Sequence, residues 1–238
     1  MRSIPVSLCI LAVSLASLAS PAAAGDAPYA TSFETDAPSA MPAGWTDISA
    51  TPFVTGAQAR TGDQSFYEEA TGGTTEARYA WTPGVNTPWK LSFSLMISGN
   101  STQATGHTVA FGLYGADTWG ATGVYVGWDD VDSHWELRGA GDDPPPVIQP
   151  DAWYDLEAEF NGGDVMMGQA VWYLDGEKLG AGDLASIQGT DTFLQFATAA
   201  DSGSAYGFVD DINIRVVPEP GCLTLLLCGL AVARRRRK

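Results

Sequence analysis

The feature that most limits the fold of this chain is a series of short segments in which apolar and polar residues alternate. Clear examples cover residues 90–97, 108–114 and 134–138, and glycine, proline, asparagine and aspartate lie between the segments. Successive side chains of a β-strand point to opposite faces, so this alternation predicts strands with one face in a core. Further segments of this kind are 123–128, 153–160, 170–174, 193–197 and 206–216.

Short strands at regular spacing with turn residues between them predict an all-β fold, an antiparallel sandwich or a barrel. Asp175 and Gly176 follow the segment 170–174 and predict a tight hairpin, because glycine accepts a positive φ. The connection 139–150 contains three consecutive prolines and predicts an extended surface segment. Residues 25–217 show no convincing helical period and no second domain boundary.

The two ends of the chain differ from this middle part. Arg2, the apolar stretch 4–18 and the small residues Ala22 and Ala24 follow the order of a secretory signal peptide. At the other end the apolar run 221–233, taken as a helix, spans about 20 Å of a hydrocarbon core of about 30 Å. We therefore expect a signal-peptide helix over 1–24, one domain over 25–217, and a tail over 218–238 with a short hydrophobic helix.

The tail resembles the PEP-CTERM sorting signal in its three-part order. Pro218, Glu219 and Pro220 come first, and the apolar residues 223–232 follow. The resemblance implies a Gram-negative-type bacterium, export by the Sec machinery and transient insertion of a transmembrane helix in the inner membrane. It further implies that an exosortase cleaves near Pro-Glu-Pro and delivers the protein to the cell surface or extracellular matrix. The basic end of the signal is Arg234, Arg235, Arg236 and Arg237.

The charge of the middle part excludes one class of partner. Residues 25–217 contain six cations and 27 acidic residues, a net charge of 6 − 27 = −21. Such a surface repels phosphate backbones, so we expect no nucleic-acid binding. All three cysteines lie outside this part, at Cys9, Cys222 and Cys228, so no disulfide holds the domain together.

Two segments of the domain look like the laminin-G-like family, which has the concanavalin-type jelly roll. They are 153–160, which reads WYDLEAEF, and 171–177, which reads VWYLDGE. The beginning, 32–45, and the end, 208–214, look like jelly-roll carbohydrate-binding modules. The resemblance implies a two-sheet antiparallel jelly-roll sandwich and a non-catalytic role in glycan binding or surface interaction. The alternatives are a structural surface or biofilm component without a specific ligand, and a glycoside hydrolase or lyase.

The resemblance also implies a calcium site. In such modules an early and a late acid often hold one structural ion between the first and last strands, and the matching positions here are Glu34, Asp210 and Asp211. The alternative is that Asp210 and Asp211 form a charge pair on an edge strand. Another acidic group, Asp129 to Asp132 with Glu136, lacks the spacing of an EF-hand loop and predicts a solvated turn.

Catalytic chemistry has one candidate in the sequence. Asp155, Glu157 and Glu159 alternate along one strand and therefore share a face. Laminarinase-type jelly-roll hydrolases use three acids at such positions in the order Glu, Asp, Glu, and the order here is Asp, Glu, Glu. The alternative is the polar outer face of a sandwich strand. His107 and His134 are isolated, which predicts neither a zinc site nor a Ser-His-Asp triad.

The tryptophans give the last prediction. A sugar ring presents apolar C–H groups, so a glycan site needs an exposed aromatic platform with polar groups nearby. Trp45 and Trp172 are predicted core residues. Trp119 lies in a small, polar, loop-like setting, and Trp81 and Trp89 flank a connection rich in glycine and proline. These three tryptophans are the predicted platform residues.

Overall fold

A computed structural model describes residues 28–48, 53–81, 88–115, 118–139, 144–160, 169–183 and 192–217, with the side chains of 115–122, 182–183 and 192 left out. The predicted signal peptide and the predicted sorting tail lie outside these residues. Every regular element within them is a β-strand, and none of them forms a helix long and apolar enough to cross a membrane. The strands are β1 (Tyr29–Thr31), β2 (Trp45–Asp47), β3 (Phe53–Thr55), β4 (Ser65–Ala80), β5 (Trp89–Ile97), β6 (Thr108–Gly115), β7 (Thr118–Asp129), β8 (His134–Arg138), β9 (Val147–Ile148), β10 (Tyr154–Phe160), β11 (Gln169–Leu174), β12 (Glu177–Asp183) and β13 (Thr192–Val216).

The strands form one curled antiparallel sheet in the order β12-β11-β10-β5-β13-β6-β7-β8-β9, with β1 and β4 also paired to β13. The first part of β13 pairs with β6, and its last part pairs with β5. The long strand therefore belongs to two layers. Layer A contains β12, β11, β10, β5 and the last part of β13, and layer B contains the first part of β13 with β6, β7, β8 and β9. This architecture confirms the all-β prediction and is consistent with a jelly-roll sandwich.

The core lies between the two layers. Phe93 of layer A and Phe111 of layer B have ring centroids 4.3 Å apart, although their strands β5 and β6 are not paired. Phe66 of β4 packs against Phe196 of β13 at 5.3 Å. Burial of such large side chains supplies the main stabilising free energy of a domain that has no disulfide.

Strand β4 is the main difference from the sequence-based expectation. It was not predicted, and Gly72 and Gly73, a residue type that weakens strands, stand in its middle. In the structure Gly72 has a φ of 62° and marks a bend of a continuous strand. The partner strand bends nearby, where the register shifts between Ala200 and Ser204. Strand β13 was predicted as two strands, 193–197 and 206–216, and the structure has one strand there.

The hairpin prediction is confirmed. Asp175 and Gly176 have φ values of 50° and 85° and join β11 to β12, as a two-residue turn with two positive φ values requires. The proline-rich connection differs in part, because Val147 and Ile148 form the short strand β9 beside β8.

Candidate functional site

Four aromatic side chains form one row across β3, β4 and the last part of β13. Phe53 of β3 lies opposite Tyr67 of β4, and Tyr67 lies opposite Phe208 of β13. The ring of Tyr67 is 4.9 Å from that of Phe53 and 5.0 Å from that of Phe208, measured between centroids. Tyr206 continues the row, since its ring is nearly parallel to that of Tyr67, at 19° and 6.4 Å.

The row faces away from the core because of the two-residue period of its strands. Each of three row residues, Phe53, Tyr67 and Phe208, has a fully buried core residue next to it in the sequence. These neighbours are Val54, Phe66 and Val209, respectively. The side chains of the row must therefore point to the opposite face. Phe53, Tyr67 and Tyr206 are partly exposed there.

The row lines an open cavity of about 440 Å³, which we call the aromatic groove. Tyr67 donates a hydrogen bond from its hydroxyl to Oε2 of Glu69, at 2.9 Å. Burial and the neighbouring Glu69 raise the pKa of Tyr67 above its ordinary value, so the phenol stays protonated at neutral pH. The groove thus combines apolar ring faces with hydrogen-bonding groups. Its lining residues are Phe53, Thr55, Ala57, Tyr67, Glu69, Ser98, Asn100, Tyr206 and Phe208.

The tryptophan platform prediction is wrong at two of its three positions. Trp81 and Trp89 are 2% and 1% exposed and pack edge to face at 5.4 Å in the core. A buried indole cannot stack on a sugar from solvent. The side chain of Trp119 is outside the described part, so that prediction stays a prediction. Trp45 and Trp172 lie in the core as predicted, at 6% and 0% exposure.

Sequence reasoning missed the aromatic groove because it searched for tryptophans in connections. A usable signal was present within the strands. Phe66 and Tyr67 are adjacent aromatic residues of one strand, and adjacent strand residues face opposite sides. One ring of such a pair must therefore point away from the core. Tyr206 and Phe208, two residues apart, share a face by the same rule.

The three acids considered for catalysis lie on the outer face of β10, and each is ion-paired. Arg60 binds Asp155 through Nε, 3.2 Å from Oδ1, and through Nη2, 2.9 Å from Oδ2. These bonds lower the pKa of Asp155, whereas a general acid needs a raised pKa. Lys90 pairs with both Glu157 and Glu159.

A second, larger cavity of about 600 Å³ is lined by two of these acids, Asp155 and Glu157. Its walls carry Arg60, Asp155, Asp175 and other polar side chains. The two large apolar residues beside it, Phe93 and Leu156, are 2% and 1% exposed. This cavity therefore offers polar contacts without a ring face on which a sugar could stack.

Glu34 and Asp210 both accept hydrogen bonds from the same loop, residues 60–64. The carboxylate of Asp210 accepts hydrogen bonds from the backbone N–H groups of Arg60 at 2.9 Å, Thr61 at 3.2 Å and Asp211 at 2.7 Å. The carboxylate of Glu34 accepts from Asp63 and Gln64 of the same loop. Asp210 is fully buried, and this burial raises its pKa to about 6.

The three residues predicted to bind calcium do not bring their carboxylate oxygens together in this structure. The ligand atoms of Glu34, Asp210 and Asp211 do not converge within 4.8 Å, and the only group of the described residues that does so is Asp129, His134 and Glu136. Glu34 and Asp210 instead act as acceptors that tie the loop 60–64 to both chain ends of the domain. His107 is fully buried, with Nδ1 2.5 Å from the carbonyl of Thr102, and takes no part in either group.

The fold of the domain is similar to that of several solved structures. A variant of alginate lyase Aly36B in complex with alginate tetrasaccharide superimposes with a TM-score of 0.54 at 11% identity, covering 81% of this chain and 98% of that chain. A carbohydrate esterase of the Shiga toxin-encoding bacteriophage phi24B gives 0.52 at 13% identity, over 74% and 91%. A sialidase gives 0.52 at 12% identity over 79% of this chain, which matches only 18% of that protein.

No family model and no curated protein matches the sequence. The similarity to solved structures lies at identities where only the fold is shared. It supports the jelly-roll sandwich that the sequence predicted, and it says nothing about which residues act.

Proposed function

We propose that the domain is a non-catalytic glycan-binding module, and that it binds through the aromatic groove. The row of Phe53, Tyr67 and Tyr206, open to solvent beside Glu69 and Asn100, is the observation that supports this function. Aromatic faces stack on the C–H groups of a sugar ring, and the carboxylate and amide can bind its hydroxyl groups. Similar structures include an alginate lyase variant in complex with alginate tetrasaccharide and a carbohydrate esterase, which agrees with a sugar ligand.

The charge of the groove favours an uncharged polysaccharide. Glu69 is the only charged residue among those that line it, and the whole domain carries 6 − 27 = −21 charges. A polyanion would meet repulsion both at the groove and during its approach. We therefore propose a neutral glycan as the ligand.

Replacement of Tyr206 by alanine is expected to weaken binding to a neutral polysaccharide about tenfold, since loss of a contact ring costs about 1–2 kcal/mol. Affinity electrophoresis in gels containing soluble β-glucan, xylan or mannan measures the effect. Phe53→Ala should act similarly. Val147→Ala is the control, because Val147 is 54% exposed on the edge strand β9, away from the groove.

Equal retardation of the wild-type domain and both ring variants would contradict the proposal. The same samples, assayed for released reducing ends, distinguish a binding module from a glycoside hydrolase. We propose the non-catalytic role because the three acids of β10 are engaged by Arg60 and Lys90. Product release that is lost in Glu159→Gln would establish the hydrolase instead.

The delivery of the domain is proposed from the sequence alone. Residues 1–24 and 218–238 would direct export and exosortase processing, and the glycan module would then act at the cell surface or in the matrix. Calcium stays a proposal as well. An ion bound by Glu34, Asp210 and Asp211 would supply further attraction between the loop 60–64 and both ends of the domain.

A further inference from the structure

Three potential metal ligands meet at one end of the β7–β8 hairpin. Asp129 and His134 are directly opposite each other in the antiparallel register. Glu136 lies two residues after His134 and therefore on the same face of β8. One ligand atom from each of these three side chains lies within 4.8 Å of the other two.

Both carboxylates are held in place by neighbouring groups. Oδ1 of Asp129 accepts a hydrogen bond from the backbone N–H of Val131, at 2.9 Å. Oε1 of Glu136 is bound by Nε of Arg138. Each carboxylate keeps a second oxygen for another partner. The side chain of Glu136 is 7% exposed and that of His134 is 27% exposed, so the cluster is sheltered and still reachable from solvent.

The distance between the imidazole and the carboxylate fits two ligands of one ion. Nε2 of His134 lies 3.6 Å from Oε2 of Glu136. That separation is too long for a hydrogen bond between them. Two ligand atoms of a tetrahedral ion, each bound at about 2.0–2.1 Å, are about 3.4 Å apart. We propose that Asp129, His134 and Glu136 bind a divalent transition-metal ion of the zinc class.

The chemistry of the ligands selects the class of ion. Imidazole nitrogen with two carboxylates suits zinc, nickel or copper, whereas calcium and magnesium prefer oxygen ligands throughout. Three protein ligands leave one position for water or another group. The ion would also join the two strands of the hairpin, because Asp129 and His134 are on different strands. This site lies apart from the aromatic groove and does not depend on the glycan-binding proposal.

The experiment uses the untagged full chain, first dialysed against EDTA. Calorimetric titration with zinc chloride should show one ion per chain, and cobalt(II) should give the visible absorption of a four-coordinate site. Trp128 and Trp135, whose rings are 5.3 Å apart in the same hairpin, should report nickel or copper binding by fluorescence quenching. Calcium and magnesium should leave these signals unchanged.

Three variants identify the ligands. His134→Gln should weaken zinc binding about 100-fold or more, because loss of an outer partner of a ligand already costs about 10–100-fold. Asp129→Asn should weaken it as well. Asp132→Asn is the matched control: it removes the same charge from the same turn, and its zinc affinity should equal that of the wild type.

Absence of zinc binding by the wild-type chain overturns the proposal, and so does equal affinity in His134→Gln. If Asp132→Asn loses as much affinity as Asp129→Asn, the turn merely attracts cations through its charge, and the proposal is again overturned. Circular dichroism checks that each variant is folded. Should His134→Gln be unfolded, the imidazole resonances of His134 in the wild type decide: zinc must shift them and leave those of His107 in place.

Discussion

Asp210→Ala is expected to lower the free energy of unfolding by about 3 kcal/mol at pH 7.5, because a buried carboxylate that accepts several backbone N–H groups is lost. Asp210 is fully buried in β13 and receives three such bonds, from Arg60, Thr61 and Asp211. Without the carboxylate, the backbone N–H groups of Arg60 and Thr61 lose their acceptor. The loop 60–64 then keeps its bonds to Glu34 and the side-chain bonds to Asp155 and Asp211. Urea unfolding followed by tryptophan fluorescence measures the change.

Asp211→Asn is the matched control. It removes the same charge at the next residue, and asparagine tolerates the φ of 51° found at Asp211. The carboxylate of Asp211 accepts only the hydroxyl of Thr61 among the bonds described, and the asparagine amide oxygen can replace it. The control should change the unfolding free energy by about 0.5 kcal/mol or less. A loss as large as that of Asp210→Ala would show that charge, not the N–H bonds, is responsible.

Thermal unfolding of the wild type and of Asp210→Ala tests the calcium proposal. If the ion binds at Asp210, calcium should raise the thermal midpoint of the wild-type domain relative to EDTA, and Asp210→Ala should abolish that increase. Identical wild-type midpoints in calcium and EDTA would contradict the ion. Asp210→Ala would still have a lower free energy of unfolding than the wild type, because the backbone hydrogen bonds to Asp210 need no metal.

Asp210→Ala should also affect the outer face of β10. Arg60 donates its backbone N–H to Asp210 and its guanidinium to Asp155, so release of the loop should loosen the Arg60–Asp155 pair. The pKa of Asp155, now lowered mainly by the bond from Arg60, should then move up towards its ordinary value. NMR titration of the Asp155 carboxyl carbon in Asp210→Ala measures this shift.

Glu68→Gln is expected to stabilise the domain at pH 7–8 and to remove much of its pH dependence. Glu68 is fully buried on β4. Its burial, and then the charges of Glu76 and Asp47, raise its pKa well above the ordinary 4.5, and the backbone of Thr198 opposes them without reversing the shift. The folded chain therefore keeps a proton on Glu68 at pH values where the unfolded chain has released it.

The sign of the effect follows from that proton. Above pH 4.5 the unfolded state binds fewer protons than the folded state, so the unfolding free energy of the wild type falls as pH rises. The slope for one proton is about 1.4 kcal/mol per pH unit, until the folded carboxyl group itself ionises. Asp210, with a pKa raised to about 6, acts in the same direction but only between about pH 4 and 6. The glutamine variant isolates the contribution of Glu68.

Urea unfolding at pH 5, 6, 7 and 8 measures this dependence for the wild type and the variant. The two curves should approach each other at pH 5 and separate with rising pH, with Glu68→Gln the more stable. Glu177→Gln is the control, because Glu177 is exposed on β12 and carries the same charge. Parallel curves for the wild type and Glu68→Gln would show that burial does not hold a proton on Glu68.

The alternation of residues determined most of the strands without further information. In β10 and in the first part of β5 the apolar residues of the pattern are the buried ones, because a strand with one face in a core repeats every two residues. Strands β8 and β11 depart from this rule, since Glu136 is buried and Ala170, Val171 and Trp172 are buried in succession. The hairpin at Asp175 and Gly176 could also be predicted from the local sequence, because this type of turn requires a positive φ at both of its residues. The sequence of β10 also predicted correctly that its three acidic residues lie on one face.

The tertiary structure alone decided what these strands bring together. Phe53, Tyr67 and Phe208 are far apart in the chain, and the register of three strands places their rings side by side. His134 looked isolated until its pairing with Asp129 became known. Trp81 and Trp89 looked like loop residues and lie in the core. Local alternation fixes the face on which a side chain lies, whereas strand register and the packing of two layers fix its neighbours, and a binding site consists of neighbours.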